Sequence, residues 1–437
     1  MHSQKWHNWA RSAGADPRRF ATPKSVAELS AEITRAADEG LHVKCVGAGH
    51  SFTPIAVTDG VMISLDNLSG IESVVPAGES GALVTVLAGT RLHDLNPRLW
   101  DLGLAMINLG DIDAQSIAGA ISTGTHGTGA QFGGLATQIR AIQLVLADGA
   151  VVDCSAEENP ELFHAARLGL GAVGVIAKLT LQCANAFMMR AVEAPARFGD
   201  TMARLDDHVH GVDHFEFYWF PHTDRVLTKH NTRLPADTQA RPVGAVRAYI
   251  DDELISNTIF EGVNRVATRF PAAIPRINNL SAQALSAREY VDRSYQVFAS
   301  SRRVRFREME YAVPAAALPE TLREIDRWIN DSGFTVAFPV EVRFAAADDI
   351  WLSTASGRDT AYVAVHQYHR RDHREYFDAV EAIAKAVDGR PHWGKMHSRT
   401  ADDLRPSYPH FDEFRSARDK YDPERRFDND YLRQVLG

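Results

Sequence analysis

Apolar and polar positions change period several times along the chain, and each change marks an element. Val26, Leu29, Ile33 and Ala37 recur at three- and four-residue spacing behind Pro23 and Ser25, which predicts a capped amphipathic helix that Gly40 ends. Short runs at 42–46, 61–65 and 82–87, divided by Gly, Pro and Asp, read as strands. Helical spacing returns at 92–102 and in a shorter piece at 116–122. Residues 139–147 and 151–154 flank Asp148-Gly149 and predict a hairpin. A helix at 159–167 and a strand at 173–181 complete this first part near residue 184.

The second part has another texture. Residues 214–220 form an aromatic strand, 252–270 a long amphipathic helix, 308–313 a strand and 318–330 a helix. Strands at 337–344 and 361–368 and a helix at 374–387 follow, an order that predicts an antiparallel sheet with helices on one face. Residues 402–421 read as a last helical stretch. No internal repeat and no low-complexity linker interrupts the pattern, and the fold class is α+β.

Composition narrows the function. A formal charge of −9, from 47 Lys and Arg against 56 Asp and Glu, excludes a nucleic-acid binder, which needs clustered positive charge. Apolar runs are too short to span a bilayer, so a membrane association would be peripheral. The N-terminal residues lack the apolar core of a secretory signal, and Cys45, Cys154 and Cys183 are too few and too scattered for a disulfide framework. A cytoplasmic location is the expectation.

Two segments concentrate small residues. Gly47-Ala48-Gly49-His50-Ser51 leaves a strand, and bare Cα atoms there would expose successive N–H groups, as in turns that cradle pyrophosphate. It lacks the third Gly and following helix of the dinucleotide fingerprint, so alone it is equally a plain tight turn. Residues 110–129 carry Gly110, Ser116, Gly119, Ser122, Gly124, Thr125, His126 and Gly127, which suit either a ligand touching the backbone or close packing. A third small-residue turn lies at 169–174, just before Val175 and Ile176. Along the strand at 337–344, Glu341 and Arg343 share one face and Val340 and Val342 the other. A cross-strand ion pair is the commoner fate of such a Glu-x-Arg. His366 and Tyr368 share a face of the next strand, whereas His366 and His369 point apart; with no HExxH or Cys/His spacing, no metal is expected.

Together with Arg390-Pro-His392-Trp-Gly-Lys395 and the tail 427–433, these segments resemble the aldonolactone oxidoreductases of the vanillyl-alcohol-oxidase type, over nearly the whole chain. The resemblance implies a PCMH-type FAD-binding domain at 15–184, a substrate cap domain at 185–397 whose antiparallel sheet is covered by helices, and a segment 398–437 that returns to the FAD domain. It assigns FAD contacts to Gly47, Ala48, Gly49, His50 and Ser51, to the small residues named between 110 and 127, to Val175 and Ile176, and to His392 and Lys395. His50 matches the histidine bonded to the flavin 8α-methyl group; a second link through Cys is not implied, since 168–174 holds none. Glu341, Arg343, Lys395 and His366 match the catalytic positions. The implied reaction is oxidation of a sugar 1,4-lactone at its 2-hydroxyl, with O₂ or a cytochrome- or quinone-type carrier as acceptor. An alditol oxidase and a catalytically silent flavin-binding protein are the rivals.

Overall fold

Two antiparallel sheets carry most of the chain, and one nearly continuous length of extended backbone belongs to both. In this computed structural model, which describes residues 5–78, 81–244, 260–299 and 304–437, the strand Val175–Asn185 lies inside the first sheet and Phe187–Arg197 inside the second. The first sheet runs Val151–Ser155, Ile139–Val145, Val175–Asn185, Ala82–Leu87, Ile71–Pro76, with Leu104–Met106 also on Val175–Asn185. Beside it, Val61–Ser64 pairs in parallel with both Arg19–Ala21 and Val43–Val46 and is buried along its whole length, as a covered parallel strand must be. Helix Val26–Asp38, capped by the Ser25 side chain, sends Leu29, Ile33 and Ala36 into the same core. The hairpin closes through a longer loop than Asp-Gly alone: the strands stop at Val145 and Val151, and the Leu146 N–H reaches the Ala150 carbonyl at 2.9 Å.

The second sheet has eight strands in the order Arg288–Arg293, Phe187–Arg197, Arg225–Pro235, His214–Trp219, Val340–Ala345, Thr360–Tyr368, Phe306–Pro314, Arg390–Pro391. The first three of these are absent from the sequence reading. Arg288–Arg293 is a sheet edge, where charge is the usual dress, and its partner Phe187–Arg197 buries Glu193 against the Arg288 guanidinium at 2.6 Å. Neither shows clean alternation. Helices Leu318–Ser332, which ends at Gly333 with φ 68°, and Arg374–Ala386 cover one face, where Val340, Val342, Phe344, Val363 and Val365 join Leu322, Ile325 and Phe377 in a single core. Glu341 and Arg343 therefore face the other way. Of the helix expected at 252–270, Phe260–Arg269 is helical and 252–259 lies outside the described residues.

The stretch 402–421 is not one helix. Ala401–Leu404, with a Thr400–Asp403 capping box, gives way at Pro406 to a tight turn, and Phe411–Tyr421 starts afresh beyond Pro409; proline has no N–H to continue the ladder. Both helices and Asp430–Leu436 pack into the core of the first sheet. Lys44 Nζ donates to the Phe427 carbonyl at 3.1 Å, and Asn429 Nδ2 reaches the carbonyls of Ile55 and Val57, both at 3.0 Å.

Candidate active site

The strand Val43–Val46 runs into the first glycine turn, and the surroundings dictate its residues. A Cβ on Gly47 would stand 2.6 Å from Ser116 Oγ, and Gly49 has φ +71°, a left-handed conformation that favours glycine. This turn, the small residues Ser116, Gly119, Ser122 and Thr123, and the 169–176 segment including Val175 and Ile176 line one cleft. Three glycine-bearing segments far apart in sequence thus present bare backbone to a common space. Space beside Gly171 is open to a Cβ, and Lys44 supplies a cation whose ammonium burial pulls down to about 8. An extended cofactor with a flat ring and a pyrophosphate fits such a cradle.

Three assigned glycines do other work. Gly110 lets the Thr125 methyl and the His126 carbonyl approach, at 3.1 and 3.2 Å from where its Cβ would be. Gly127 leaves room for the Leu109 carbonyl, 2.1 Å from such a Cβ, and Gly124, with φ +81°, packs beneath Leu168. These are close-packing positions and do not line the cleft.

A second cavity opens from the first, and the two share His50, Ser51, Gln115 and Thr123. Its walls are charged. Arg343 lies 9% exposed among three carboxylates: it pairs with Glu341, with Asp111 at 3.3 Å and, through Nε, with Glu216 at 3.1 Å. Burial opposes its charge, but Glu341, Asp111 and Glu216 outweigh that and hold the guanidinium firmly protonated. Tyr218 donates to Glu341 at 3.2 Å. Across the cavity, Lys395 Nζ is 2.5 Å from Glu308 and 5.3 Å from the centre of the Phe52 ring. Thr125, His126 and His392 line this second cavity, not the cofactor cleft. The structure does not bring His366 to the wall; it stands behind Glu308, with Nε2 3.5 Å from that carboxylate and Nδ1 3.3 Å from the Pro339 carbonyl. Tyr368 points to Glu261, 2.6 Å away, and takes no part.

His126, Glu310 and His392 bring three metal-binding side-chain types within 4.8 Å of one another. Two of the three already have hydrogen-bond partners at ring nitrogens. The Gly394 N–H donates to His392 Nδ1 at 3.0 Å, so the proton of that neutral ring sits on Nε2, which then has no lone pair for an ion. Burial holds the His392 imidazole down to about 4. His126 donates from Nε2 to Glu310 at 3.1 Å and stacks on Tyr362 at 3.5 Å.

At the junction of the two cavities, Trp9 stacks on the His50 ring at 5.6 Å, while the Trp9 N–H and Asn8 Nδ2 donate to the carbonyls of Gly49 and Ser51. Burial, then the nearby Lys395 charge, lowers the His50 pKa and keeps the imidazole neutral. Sequence reasoning missed Trp9, Asp111, Glu308 and Glu310. The last two had a signal: Met309 and Tyr311 belong to the helix-covered core, so Glu308 and Glu310 share the opposite face, by the same alternation that exposed Glu341 and Arg343.

The cleft and charged cavity, on this arrangement of sheets, define an FAD-dependent oxidoreductase of the PCMH type, and residues 17–155 match the FAD binding domain family. Residues 179–435 match the D-arabinono-1,4-lactone oxidase family, and the chain belongs to that family. It is 42% identical to an L-gulono-1,4-lactone dehydrogenase of Mycobacterium tuberculosis over 99% of both chains. It is 35% identical to the L-gulonolactone oxidase of Bos taurus over 99% of this chain and 98% of that one. In fold it is similar to cholesterol oxidase from Brevibacterium sterolicum, with a TM-score of 0.82 at 18% identity, over 100% of this chain and 97% of that one. Among the described residues, no helix is long and apolar enough to cross a membrane.

Proposed function

We propose that this protein oxidises a sugar 1,4-lactone of the L-gulono or D-arabinono type at its 2-hydroxyl, giving a 2-keto lactone that enolises to an ascorbate-type product. The observation that carries the reading is the meeting of the two cavities at His50, with Arg343 and Lys395 on the walls of the second. The chemistry that bound FAD would supply is acceptance of a hydride from the carbon that bears the hydroxyl, and the glycine turns at the first cleft would hold it. Arg343, held by three carboxylates, offers its remaining N–H groups to the hydroxyl oxygen as negative charge grows there, a role that needs no rearrangement during reaction. Glu341 orients the hydroxyl and takes its proton. Lys395 adds a second positive charge on the cavity wall, and the low-dielectric walls strengthen both.

The first sheet and its helices, residues 15–184 with 398–437, serve as the cofactor domain, and 185–397 as the cap. Ser51, Ser116 and the glycines at 47, 49 and 119 contact FAD through main chain and hydroxyl. His50 anchors it covalently through a neutral ring nitrogen. Cys45 also lines the cleft, but burial pushes its thiol up to about 12, which withholds the thiolate and leaves a single link. His366 acts through Glu308, not on substrate. Anaerobic mixing of the oxidised enzyme with L-gulono-1,4-lactone is expected to bleach the flavin, and xylitol to leave it oxidised; the reverse order overturns the lactone reading in favour of an alditol oxidase. Peroxide yield against dye reduction then separates O₂ from a cytochrome- or quinone-type acceptor.

A further inference from the structure

The strand Phe306–Pro314 puts two carboxylates on the cavity wall, and one of them grips Lys395. Glu308 Oε2 is 2.5 Å from the ammonium, while His366 Nε2 lies 3.5 Å from Oε1 of the same buried carboxylate as a neighbour and not as a hydrogen-bond partner. His366 is itself held from behind by the Pro339 carbonyl. A lysine carries its charge on a flexible four-carbon stem, and burial discourages that charge unless a partner fixes it.

We infer that Glu308 is the positioning residue of Lys395: it fixes the ammonium at the cavity wall beside His50 and supplies the negative charge that keeps it a cation. The inference rests on the reading of Lys395 as a group that serves the reaction. Charged and titratable groups face Lys395 from every side. Glu308 and Glu310 come from Phe306–Pro314, Asp111 from the loop before Ser116, His50 from the glycine turn and His392 from its own segment. Burial pulls the ammonium down, but Glu308, followed by Glu310 and Asp111, raises it above its ordinary value. Burial likewise pushes Glu308 up, and Lys395 followed by His366 brings it down to about 2. Glu308 is the carboxylate in direct contact with Nζ, and it outranks the others in this balance.

The test compares wild type with Glu308→Gln, Glu308→Asp and Lys395→Met in the full-length, flavin-loaded enzyme. Reductive methylation modifies only the neutral amine, so mass spectrometry of the Lys395 peptide against pH reads the ammonium directly. In Glu308→Gln the half-modification pH is expected to fall by about one unit or more, and Glu308→Asp to restore part of it. The alkaline limb of kcat/KM for L-gulono-1,4-lactone should shift the same way. An unmoved half-modification pH overturns the inference. A uniform loss of rate at every pH with no shift, the mark of a merely structural role, does so too. If the modification shifts while Lys395→Met turns over like wild type, the inference stands and the reading of Lys395 falls. Should Glu308→Gln not fold, the Asp variant is read in its place, with a smaller shift in the same direction supporting the inference and none overturning it.

Discussion

The two cavities that meet at His50 are built on opposite principles. The cofactor cleft is made of backbone and small side chains from three glycine-bearing segments, with Lys44 and Asp66 as the charged residues among its described walls. The charged cavity takes single side chains from separate strands and loops, including Asp111, Glu308, Glu310, Glu341, Arg343 and Lys395. A cradle for a large flat ligand needs absent side chains, whereas a site that stabilises developing charge needs fixed and balanced ones. The first should fail when atoms are added and the second when charges are removed.

Arg343→Met tests the second half of that contrast and should have the largest effect. It removes the guanidinium and leaves Glu341, Asp111 and Glu216 facing one another in a buried space, with Lys229 the remaining partner of Glu216 at 3.2 Å. Steady-state assays should show kcat/KM for the lactone lower by on the order of a thousandfold, with flavin content near that of wild type. Loss of flavin without loss of turnover per flavin would place Arg343 in the cofactor site instead.

Gly49→Val breaks the other half. It imposes a β-branched residue at φ +71°, with Trp6 3.3 Å from the new Cβ, at a cost of about 1–3 kcal/mol. Purified protein should carry much less FAD, while the fraction that holds it keeps an ordinary KM. His50→Ala adds no atoms and removes only the proposed anchor, so flavin should still bind but be released by acid precipitation.

The same contrast decides what was legible in the sequence. Glycine turns are local: Gly47, Gly49 and Gly119 announce themselves by clustering, and the structure gathers them. Clustering alone does not sort them, because Gly110, Gly124 and Gly127 follow the same texture and pack closely against Thr125, Leu168 and Leu109. Only three-dimensional neighbours distinguish a glycine that faces a ligand from one that faces a carbonyl. Cavity residues come singly, and alternation says which face a residue shares but not what the face meets. Glu341 and Arg343 are readable because Val340 and Val342 flank them, and Glu308 and Glu310 obey the same rule around Met309 and Tyr311. His366 shows the limit: it shares the strand with Ala364, which lines the cavity, yet stops one carboxylate short of it. Among the strands, charged Arg288–Arg293 gives no apolar alternation because edges carry charge, and the helical spacing of 402–421 hides the breaks at Pro406 and Pro409.

Acid should weaken the fold through imidazoles buried in both halves. Burial holds His214 and His230 in the second sheet, His392 on the cavity wall and His397 beneath the tail each down to about 4. In the unfolded chain these rings titrate near 6.5. Between pH 6.5 and 4 the unfolded state therefore binds protons that the folded state does not, and stability falls as pH falls through that window. Thermal midpoints should drop steadily from pH 7 to 4, and His214→Gln or His230→Gln should flatten part of the slope. A flat profile would mean that these rings already carry protons when folded.

Asn429→Ala should give the smallest effect, and it is confined to the cradle. The Asn429 side chain accepts from the Leu432 N–H at 2.9 Å, capping helix Asp430–Leu436, and its amide reaches the carbonyls of Ile55 and Val57 just beyond the flavin turn. Removing it uncaps the helix and leaves those carbonyls short of a donor, at a cost of about 1–2 kcal/mol. The tail also holds the turn's own strand, through the Val43 N–H bond to the Arg426 carbonyl at 2.8 Å, so a looser tail should be felt along the cleft. Nothing in Asn429's contacts touches Arg343, Lys395 or Glu308. Faster loss of flavin from the folded His50→Ala background on gel filtration, with an unchanged KM for the lactone, is therefore the expected pair of results. A raised KM would mean that the cradle and the charged cavity are mechanically one site, and the contrast between them would have to be given up.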